Sequence, residues 1–179
     1  MGIITPPRRP NPVLRLGVAI AERITGRRME PARLLAWYPP AALGSGVLEL
    51  LVAHREPSAR VLKLVRVTAS LTASCAFCVD MNSYRAAEAG VTDEELASLQ
   101  RGTEERVESF DQRERTAIAY ARAVSSTPLT FDADLKERVA ELFSEREIVI
   151  LATTAAQVNY WARTIQALDV APAGFCELR

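Results

Sequence analysis

Residues 63–82 read KLVRVTASLTASCAFCVDMN and connect two stretches that are predicted to be helices. We expect the first helix over residues 58–73 and the second over residues 75–89. Ser74 has a side chain that commonly caps helices, so it is predicted to cap the second one and to place the sulfurs of Cys75 and Cys78 in its first turn. With a turn near Ala73, the two helices are expected to form an antiparallel hairpin.

The chain beyond residue 12 carries helical patterns almost throughout. Apolar residues recur at helical spacing over residues 13–25, and Glu30-Pro31 is expected to open a short helix that Pro39-Pro40 stops. Further helices are expected at residues 43–53 and, apolar nearly all round, at residues 145–168. Three capping boxes predict helix starts: Thr92 with Glu95, Asp111 with Glu114, and Ser144 with Glu147.

Strand patterns are nearly absent, because alternation of period two over five or more residues is scarce and hairpin dipeptides are missing. The fold class is therefore predicted to be all-α. A length of 179 residues favours one compact domain. Residues 1–12 contain four prolines and are expected to form an extended arm, with residues 13–179 as a single helical domain.

The composition excludes several classes of protein. The 22 basic and 22 acidic residues cancel, which argues against a nucleic-acid-binding protein and against a polybasic membrane patch. The longest uncharged stretches hold 15 residues, too few to span a bilayer. Three cysteines are too few for a disulfide scaffold, so a reducing, cytoplasmic location is expected.

Cys75 and Cys78 form the motif that suggests chemistry. Free amides and the dipole at a helix N-terminus favour a thiolate, so Cys78 is a candidate nucleophile, and a second thiol three residues away can close a disulfide after oxidation. Two other interpretations compete with this redox interpretation. The cysteines can be ordinary buried apolar residues, and a zinc site would need Cys176 and His54, which are remote in sequence.

The sequence around this motif resembles the carboxymuconolactone decarboxylase and AhpD-like alkylhydroperoxidase superfamily. The resemblance rests on residues 63–82, then 90–96, 110–123, 144–148 and 157–160, and it covers residues 34–176. It implies an AhpD-like helical bundle with the CxxC motif at a helix N-terminus. It also implies that Cys78 attacks a hydroperoxide, that Cys75 resolves it as a disulfide, and that the protein forms trimers or hexamers.

Two positions depart from the family pattern. The resemblance implies a proton relay with a histidine four residues after the second cysteine and a glutamate twelve before the first, and this chain has Asn82 and Lys63 there. The predicted hairpin makes these two residues face each other beside Cys78. Asn82 cannot serve as a general base. Lys63 either favours a thiolate at Cys78, or acts as a base after losing its proton, or only reaches toward solvent.

Other polar residues are weaker candidates. His54 is expected to be a surface or capping residue. Asp80 and Tyr84 lie on the predicted helix of the cysteines, with Asp80 off the face of Cys78 and Asn82. Three polar residues of the last helix, Gln157, Asn159 and Arg163, either line a pocket or make structural hydrogen bonds. Cys176 is either an ordinary residue of the tail or a third thiol in the redox path.

The leading hypothesis is a thiol-dependent oxidoreductase that reduces a hydroperoxide or a partner disulfide through Cys78 and Cys75, with Lys63 and Asn82 as altered relay positions and with no cofactor or metal. The expected partners are a small peroxide, a dithiol donor and further copies of the chain. Self-association is expected because residues 34–51 and 148–165 are so apolar. Two alternatives stay open: a cofactor-free decarboxylase or lactone-processing enzyme, and a non-enzymatic binding or redox-sensing protein.

Overall fold

The computed structural model describes residues 3–174 and contains only helices and connecting segments over that range. The all-α prediction is confirmed. The helices are α1 Pro12–Thr25, α2 Glu30–Leu35, α3 Pro39–Leu51, α4 Ala59–Thr72, α5 Ala76–Ser83, α6 Asp93–Arg101, α7 Gln112–Ser125, α8 Ala133–Leu142 and α9 Glu145–Ala167. Short 3₁₀ helices lie at Ala86–Ala89 and Glu104–Arg106. No helix of residues 3–174 is long and apolar enough to cross a bilayer.

All three predicted capping boxes are present. At Thr92, Asp111 and Ser144, the side chain of the cap accepts a hydrogen bond from a backbone N–H in the first turn. The glutamate three residues later accepts one from the N–H of the cap. Each box satisfies two helix-terminal donors, so these starts of α6, α7 and α9 are encoded locally.

Pro39 and Pro40 begin α3, so the expectation that they stop a helix is wrong. Both prolines lie in the first turn, where the missing N–H would have no intrahelical acceptor and the fixed φ suits a helix. α2 ends before them, at Leu35.

The connection between α4 and α5 also differs from the prediction. Ser74 does not cap α5, because it takes a left-handed φ of 51° in the reversal between the two helices. Cys75 occupies the N-cap position, and its Sγ accepts a hydrogen bond from the N–H of Cys78 at 3.2 Å. α5 ends at Ser83 and does not run on to residue 89, since Arg85 adopts a φ of 53° before the 3₁₀ helix.

α4 lies at the centre of the bundle, in contact with α5, α6, α7 and α9. Val65 packs with small residues of α7 and with Leu151 of α9. Leu64, one residue away, packs with apolar side chains of α6 and α7. Both Leu64 and Val65 are fully buried. Two sides of α4 are thus covered by apolar packing.

The predicted last helix is α9, and it buries one face rather than its whole circumference. Leu151, Ala162 and Ile165 are buried, whereas Val149 is 61% exposed.

The first helices leave much apolar surface uncovered. α1 contains no buried residue. Large apolar side chains of α1 and α3 point to solvent: Val13, Leu16, Ile20, Ile24, Leu43, Val47, Leu50 and Leu51.

Arg60 joins three helices through a buried ion-pair cluster. Its guanidinium donates to Glu95 of α6 at 2.7 Å and to Glu114 of α7 at 2.6 Å. These two glutamates also complete capping boxes. Hydrogen bonds from Arg60, with help from Ser109 and the N–H of Thr92, outweigh burial and lower the pKa of Glu95 to about 2. Arg60 therefore holds the N-terminus of α4 to the starts of α6 and α7.

This cluster predicts a pH-dependent contribution to stability. The lowered pKa means that folding favours the charged carboxylate of Glu95, so the stabilisation is present above pH 4.5 and is lost as the pH falls toward 2. We expect Glu95→Gln to lower the free energy of unfolding at pH 7 by about 3 kcal/mol. Denaturant titrations between pH 7 and pH 2 should show the difference from the parent shrinking at acid pH.

Glu94→Gln is the matched control, because Glu94 lies beside Glu95 in the first turn of α6 and is exposed. An equal loss of stability in both variants would contradict the assigned role of Arg60.

Candidate functional site

Cys75 and Cys78 are joined as a disulfide at the start of α5, with their Cα atoms 5.2 Å apart. Both side chains are buried, and they pack with Phe77 on α5 and with Ala162 and Ile165 of α9. Cys75 precedes the helix and Cys78 lies in its first turn. The CxxC motif is thus located at a helix N-terminus, as the sequence predicts.

A cavity of about 550 Å³ lies beside this disulfide, between α3, α4, α5 and α9. Cys78 is on its wall, whereas Cys75 is not. Of the two cysteines, Cys78 is therefore the one that borders the cavity. The polar wall residues include Glu49, His54, Lys63, Arg66, Asn82 and Gln157.

Lys63 reaches from α4 to the end of α5. Its Nζ donates to the backbone oxygen of Asn82 at 3.0 Å and to that of Tyr84 at 2.9 Å. A cation at the C-terminus of a helix satisfies terminal carbonyls and interacts favourably with the dipole. Lys63 and Asn82 are therefore in contact, but through the backbone of Asn82 and not through its side chain.

The side chain of Asn82 contacts Ser70 of α4. Its Nδ2 donates to the Oγ of Ser70 at 2.9 Å, and Ser70 in turn donates to the backbone oxygen of Arg66 at 2.7 Å. An amide held in this way orients α5 against α4. It has no group that takes up a proton near neutral pH.

Arg66 is a functional candidate that the sequence analysis missed. It lies on the cavity wall, and its Nη2 donates to the backbone oxygen of Val52 at 3.3 Å. Burial lowers the pKa of its guanidinium below the ordinary value, although the carboxylate of Glu49 acts in the opposite direction. The guanidinium stays charged at neutral pH, so the cavity contains a second cation beside Lys63.

Glu49 is the second candidate that was missed. Its Oε1 accepts hydrogen bonds from Nε2 of Gln157 at 2.8 Å and from Nε1 of Trp161. The sequence does carry a signal for each: Glu49 is the one charged residue within the apolar residues 34–51, and Arg66 shares a helical face with Lys63 and Ser70. Only the folded chain shows that the two signals meet in one cavity.

The weaker candidates separate into two groups. His54, Tyr84 and Gln157 line the cavity. His54 is half-buried there, and its expected role as a surface or capping residue stays a prediction. His54 follows α3, and that segment turns back toward α4. Cys176 lies outside the described residues.

Three other candidates make hydrogen bonds to groups that do not line the cavity. Asn159 donates to Ser125 and to the backbone of Ala155, and Arg163 donates to Thr127. Asp80 accepts from the N–H of Gly174. Within residues 3–174, no three His, Cys, Asp or Glu side chains are grouped as metal ligands would be.

Comparison with known sequences decides the family. A sequence model of the carboxymuconolactone decarboxylase family matches residues 43–123. The uncharacterized protein YnjA of Escherichia coli is 30% identical over 133 residues, which are 74% of this chain and 71% of that protein. The chain belongs to the carboxymuconolactone decarboxylase family. The resemblance stated from the sequence is therefore confirmed.

Solved structures place this family member in the AhpD-like fold. The debrominase Bmp8 has a TM-score of 0.82 at 20% identity, covering 97% of this chain and 93% of that one. Bmp8 has also been solved as a cysteine-to-alanine variant with 2,3,4-tribromopyrrole. The alkylhydroperoxidase AhpD core of a peroxidase-related protein from Ralstonia eutropha has a TM-score of 0.81 at 13% identity, covering 96% and 92%. At these identities, the likeness shows the fold.

The contacts of Lys63 predict how its removal affects the site of this family member. We expect Lys63→Met to leave terminal carbonyls of α5 without their donor and to lower the free energy of unfolding by about 1 to 2 kcal/mol. In the reduced protein, loss of the positive charge should also slow alkylation of Cys78 at pH 7. Thermal melts and mass-spectrometric labelling measure the two effects.

Lys136→Met is the control, since Lys136 is the other lysine of the chain and is exposed on α8. A slower alkylation in both variants would indicate an effect of net charge and would contradict a local role of Lys63.

Proposed function

We propose that the protein is a thiol-dependent oxidoreductase that reduces a small hydroperoxide through Cys78 and Cys75. The observation that carries this proposal is the position of the pair. Both sulfurs are within bonding reach of each other at a helix N-terminus, and Cys78 alone faces the cavity. A thiol that meets the substrate and a second thiol beneath it form a two-electron donor.

The proposed reaction balances as follows. The thiolate of Cys78 attacks one oxygen of the hydroperoxide, the O–O bond breaks, and the other oxygen leaves as an alcohol after taking a proton. Cys78 is then a sulfenic acid. The thiol of Cys75 attacks the sulfur of Cys78, so an S–S bond forms, the S–O bond breaks, and the hydroxyl leaves with the proton of Cys75 as water. One hydroperoxide and two thiols give one alcohol, one water and one disulfide.

The roles of the two cysteines are supported by their different surroundings. A dithiol donor that enters the cavity reaches Cys78, and Cys75 then becomes the leaving group. The N–H of Cys78 donates to the sulfur of Cys75, and such a bond stabilises negative charge there. A stabilised thiolate leaves faster, which favours regeneration of the reduced pair. The identity of the dithiol donor stays a prediction. The alternative that the protein reduces a partner disulfide in place of a peroxide also stays a prediction.

The cations near Cys78 support thiolate chemistry but not a proton relay. Lys63 donates to two carbonyl oxygens, and Arg66 is charged at neutral pH. Asn82 cannot transfer a proton. General acid-base catalysis is worth about a hundred- to ten-thousandfold in rate. Because this site has no such relay, we propose that its peroxide turnover is slow.

A thiol count tests the proposal. We expect the reduced parent, which has three cysteines, to lose two thiols after one equivalent of hydrogen peroxide. Cys75→Ser should lose one thiol and trap a sulfenic acid on Cys78, because the resolving thiol is missing. Cys78→Ser should lose none on the same timescale. Thiol titration after denaturation and mass spectrometry give the counts and the sites.

Cys176→Ser serves as the control and should still lose two thiols. Retention of all thiols in the parent, or oxidation confined to Cys176, would contradict the proposal and favour the cofactor-free or non-enzymatic alternatives.

Reductive debromination is a second candidate, favoured by the indole of Trp161 on the wall that Cys78 shares. In such a reaction, an aryl bromide and two thiols would give the arene, bromide, a proton and one disulfide. This candidate is suggested by the similarity of the fold to that of the debrominase Bmp8. If this candidate is correct, the reduced protein should release one bromide from a brominated pyrrole for every two thiols lost. Thiol loss to peroxide without bromide release would leave the peroxidase proposal alone.

We further propose that the chain self-associates through the exposed apolar side chains of α1 and α3. They are too numerous for the surface of an ordinary small monomer. The number of subunits and the cytoplasmic location stay predictions.

A further inference from the structure

The guanidinium of Arg66 has more hydrogen-bond donors than acceptors in the folded chain. An arginine side chain carries five N–H donors in a planar fork. Within residues 3–174, its hydrogen bond goes from Nη2 to the backbone oxygen of Val52, at a long 3.3 Å. The Nε of Arg66 is buried without an acceptor among those residues. An anion in the cavity beside Cys78 would accept from this guanidinium and be bound by a charge-assisted hydrogen bond.

The carboxylates of the cavity do not neutralise Arg66 directly. Among the described residues, Arg66 takes part in no ion pair. Glu49 acts on it through its charge, but the Oε1 of Glu49 already accepts two side-chain hydrogen bonds. Glu88 is exposed and pairs with Arg85. Lys63, three residues before Arg66 on α4, adds a second positive charge, which Glu49 offsets only in part.

Both cations are tied to the helix of the cysteines through Asn82. Lys63 donates to the backbone oxygen of Asn82, and Ser70 joins the side chain of Asn82 to the backbone of Arg66. Cys78 precedes Asn82 by four residues on α5, a separation of about 6 Å along the helix axis. A molecule with a few carbon atoms between an anionic group and a reacting group is long enough to span that separation.

The burial of the disulfide limits which molecules can reduce it. Cys75 is 2% exposed and Cys78 is 1% exposed, and only Cys78 of the two borders the cavity. The rate of thiol–disulfide exchange depends on access to the attacked sulfur. The surface of a folded protein cannot enter a cavity of about 550 Å³, whereas a small molecule fits a space of this size. The burial therefore favours a small thiol as the electron donor.

We propose that the electron donor is a small thiol that carries a carboxylate, and that Arg66 and Lys63 bind this carboxylate while its sulfur attacks Cys78. The inference rests on the proposed function, which requires reduction of the oxidised pair, and it names the class of donor.

The proposed reduction takes place in two exchanges. The donor thiolate forms an S–S bond with Cys78, the bond between Cys78 and Cys75 breaks, and Cys75 leaves as a thiolate that takes up a proton. A second donor thiolate attacks the donor sulfur of this mixed disulfide and releases Cys78, which takes up the other proton. Two thiols thus give one donor disulfide and two reduced cysteines, and a dithiol supplies both sulfurs from one molecule.

A matched pair of thiols tests the donor class on the oxidised protein, without peroxide. β-Mercaptopropionate carries the carboxylate, and β-mercaptopropionamide carries a neutral amide in its place. Disulfide reduction is followed by acid quenching, alkylation and mass spectrometry. Each rate is divided by the rate of the same thiol with hydroxyethyl disulfide, which corrects for the acidity of the thiol. We expect the corrected rate to be about tenfold or more higher with the carboxylate, because hydrogen bonds between charged groups are worth that much.

Variants of Arg66 assign the preference to its guanidinium. Arg66→Gln should bring the two corrected rates close to each other, and Arg66→Lys should keep part of the difference. Arg85→Gln is the matched control and should keep the whole difference, since Arg85 borders the same cavity but is exposed and paired with Glu88.

A competition measurement on the parent does not depend on how the variants fold. Propionate should slow reduction by β-mercaptopropionamide competitively, and propionamide should not.

The outcomes distinguish this inference from the proposed function. Equal corrected rates for the two thiols in the parent would overturn the inference, and so would an equal fall in Arg66→Gln and Arg85→Gln, which would indicate net charge. Failure of peroxide to consume thiols would overturn the proposed function and leave the comparison of thiols intact.

The oxidant is the other possible source of a carboxylate. A preference for monoperoxysuccinate over peracetic acid that requires Arg66, with no preference between the thiols, would assign the anion site to the oxidant and overturn the inference.

Discussion

The burial of α4 is the constraint on which the rest of the structure depends. Apolar side chains cover this helix on the sides that meet α7, α9 and α6, and Arg60 holds its first turn to the starts of α6 and α7. The side that remains carries Lys63, Arg66 and Ser70 toward α5 and the cavity. The polar groups near Cys78 are thus placed by the same helix that forms the core.

The sequence allowed the elements with local signals to be predicted. The three capping boxes, the helical class and the location of the CxxC motif need only residues that are neighbours in the chain, and all were predicted. The starts of α3 and α5 were not, because prolines suit both the end and the first turn of a helix, and a serine before a cysteine is only one of two capping candidates. The cavity depended on contacts between distant segments. Glu49 and Gln157, which are 108 residues apart, meet only after folding.

The altered relay has a physical meaning in the folded chain. A histidine and a glutamate at positions 82 and 63 would pass a proton across the hairpin, as the family resemblance implies. Here two sets of hydrogen bonds connect the same two helices. Lys63 donates to backbone carbonyl oxygens at the end of α5, and the side-chain amide of Asn82 donates to the hydroxyl of Ser70. These contacts fix geometry and supply charge, and they do not need to change during a reaction. Under the proposed function, such a site favours holding a thiolate at Cys78 over moving a proton.

The attachment of α3 to the bundle makes the N-terminal helices a separable part of the fold. α3 contacts α9 through the hydroxyls of Ser45 and Tyr160 and through Glu49, groups that water can replace. The buried members of the hydrophobic clusters all come from residue 61 onward. Opening of the first helices would expose few buried residues of their own, chiefly Leu34, Ala36 and Val52, so we expect these helices to open more readily than the rest of the bundle. Amides of α1 and α3 are then expected to exchange with solvent earlier than those around the disulfide, which packs against Ala162 and Ile165 of α9.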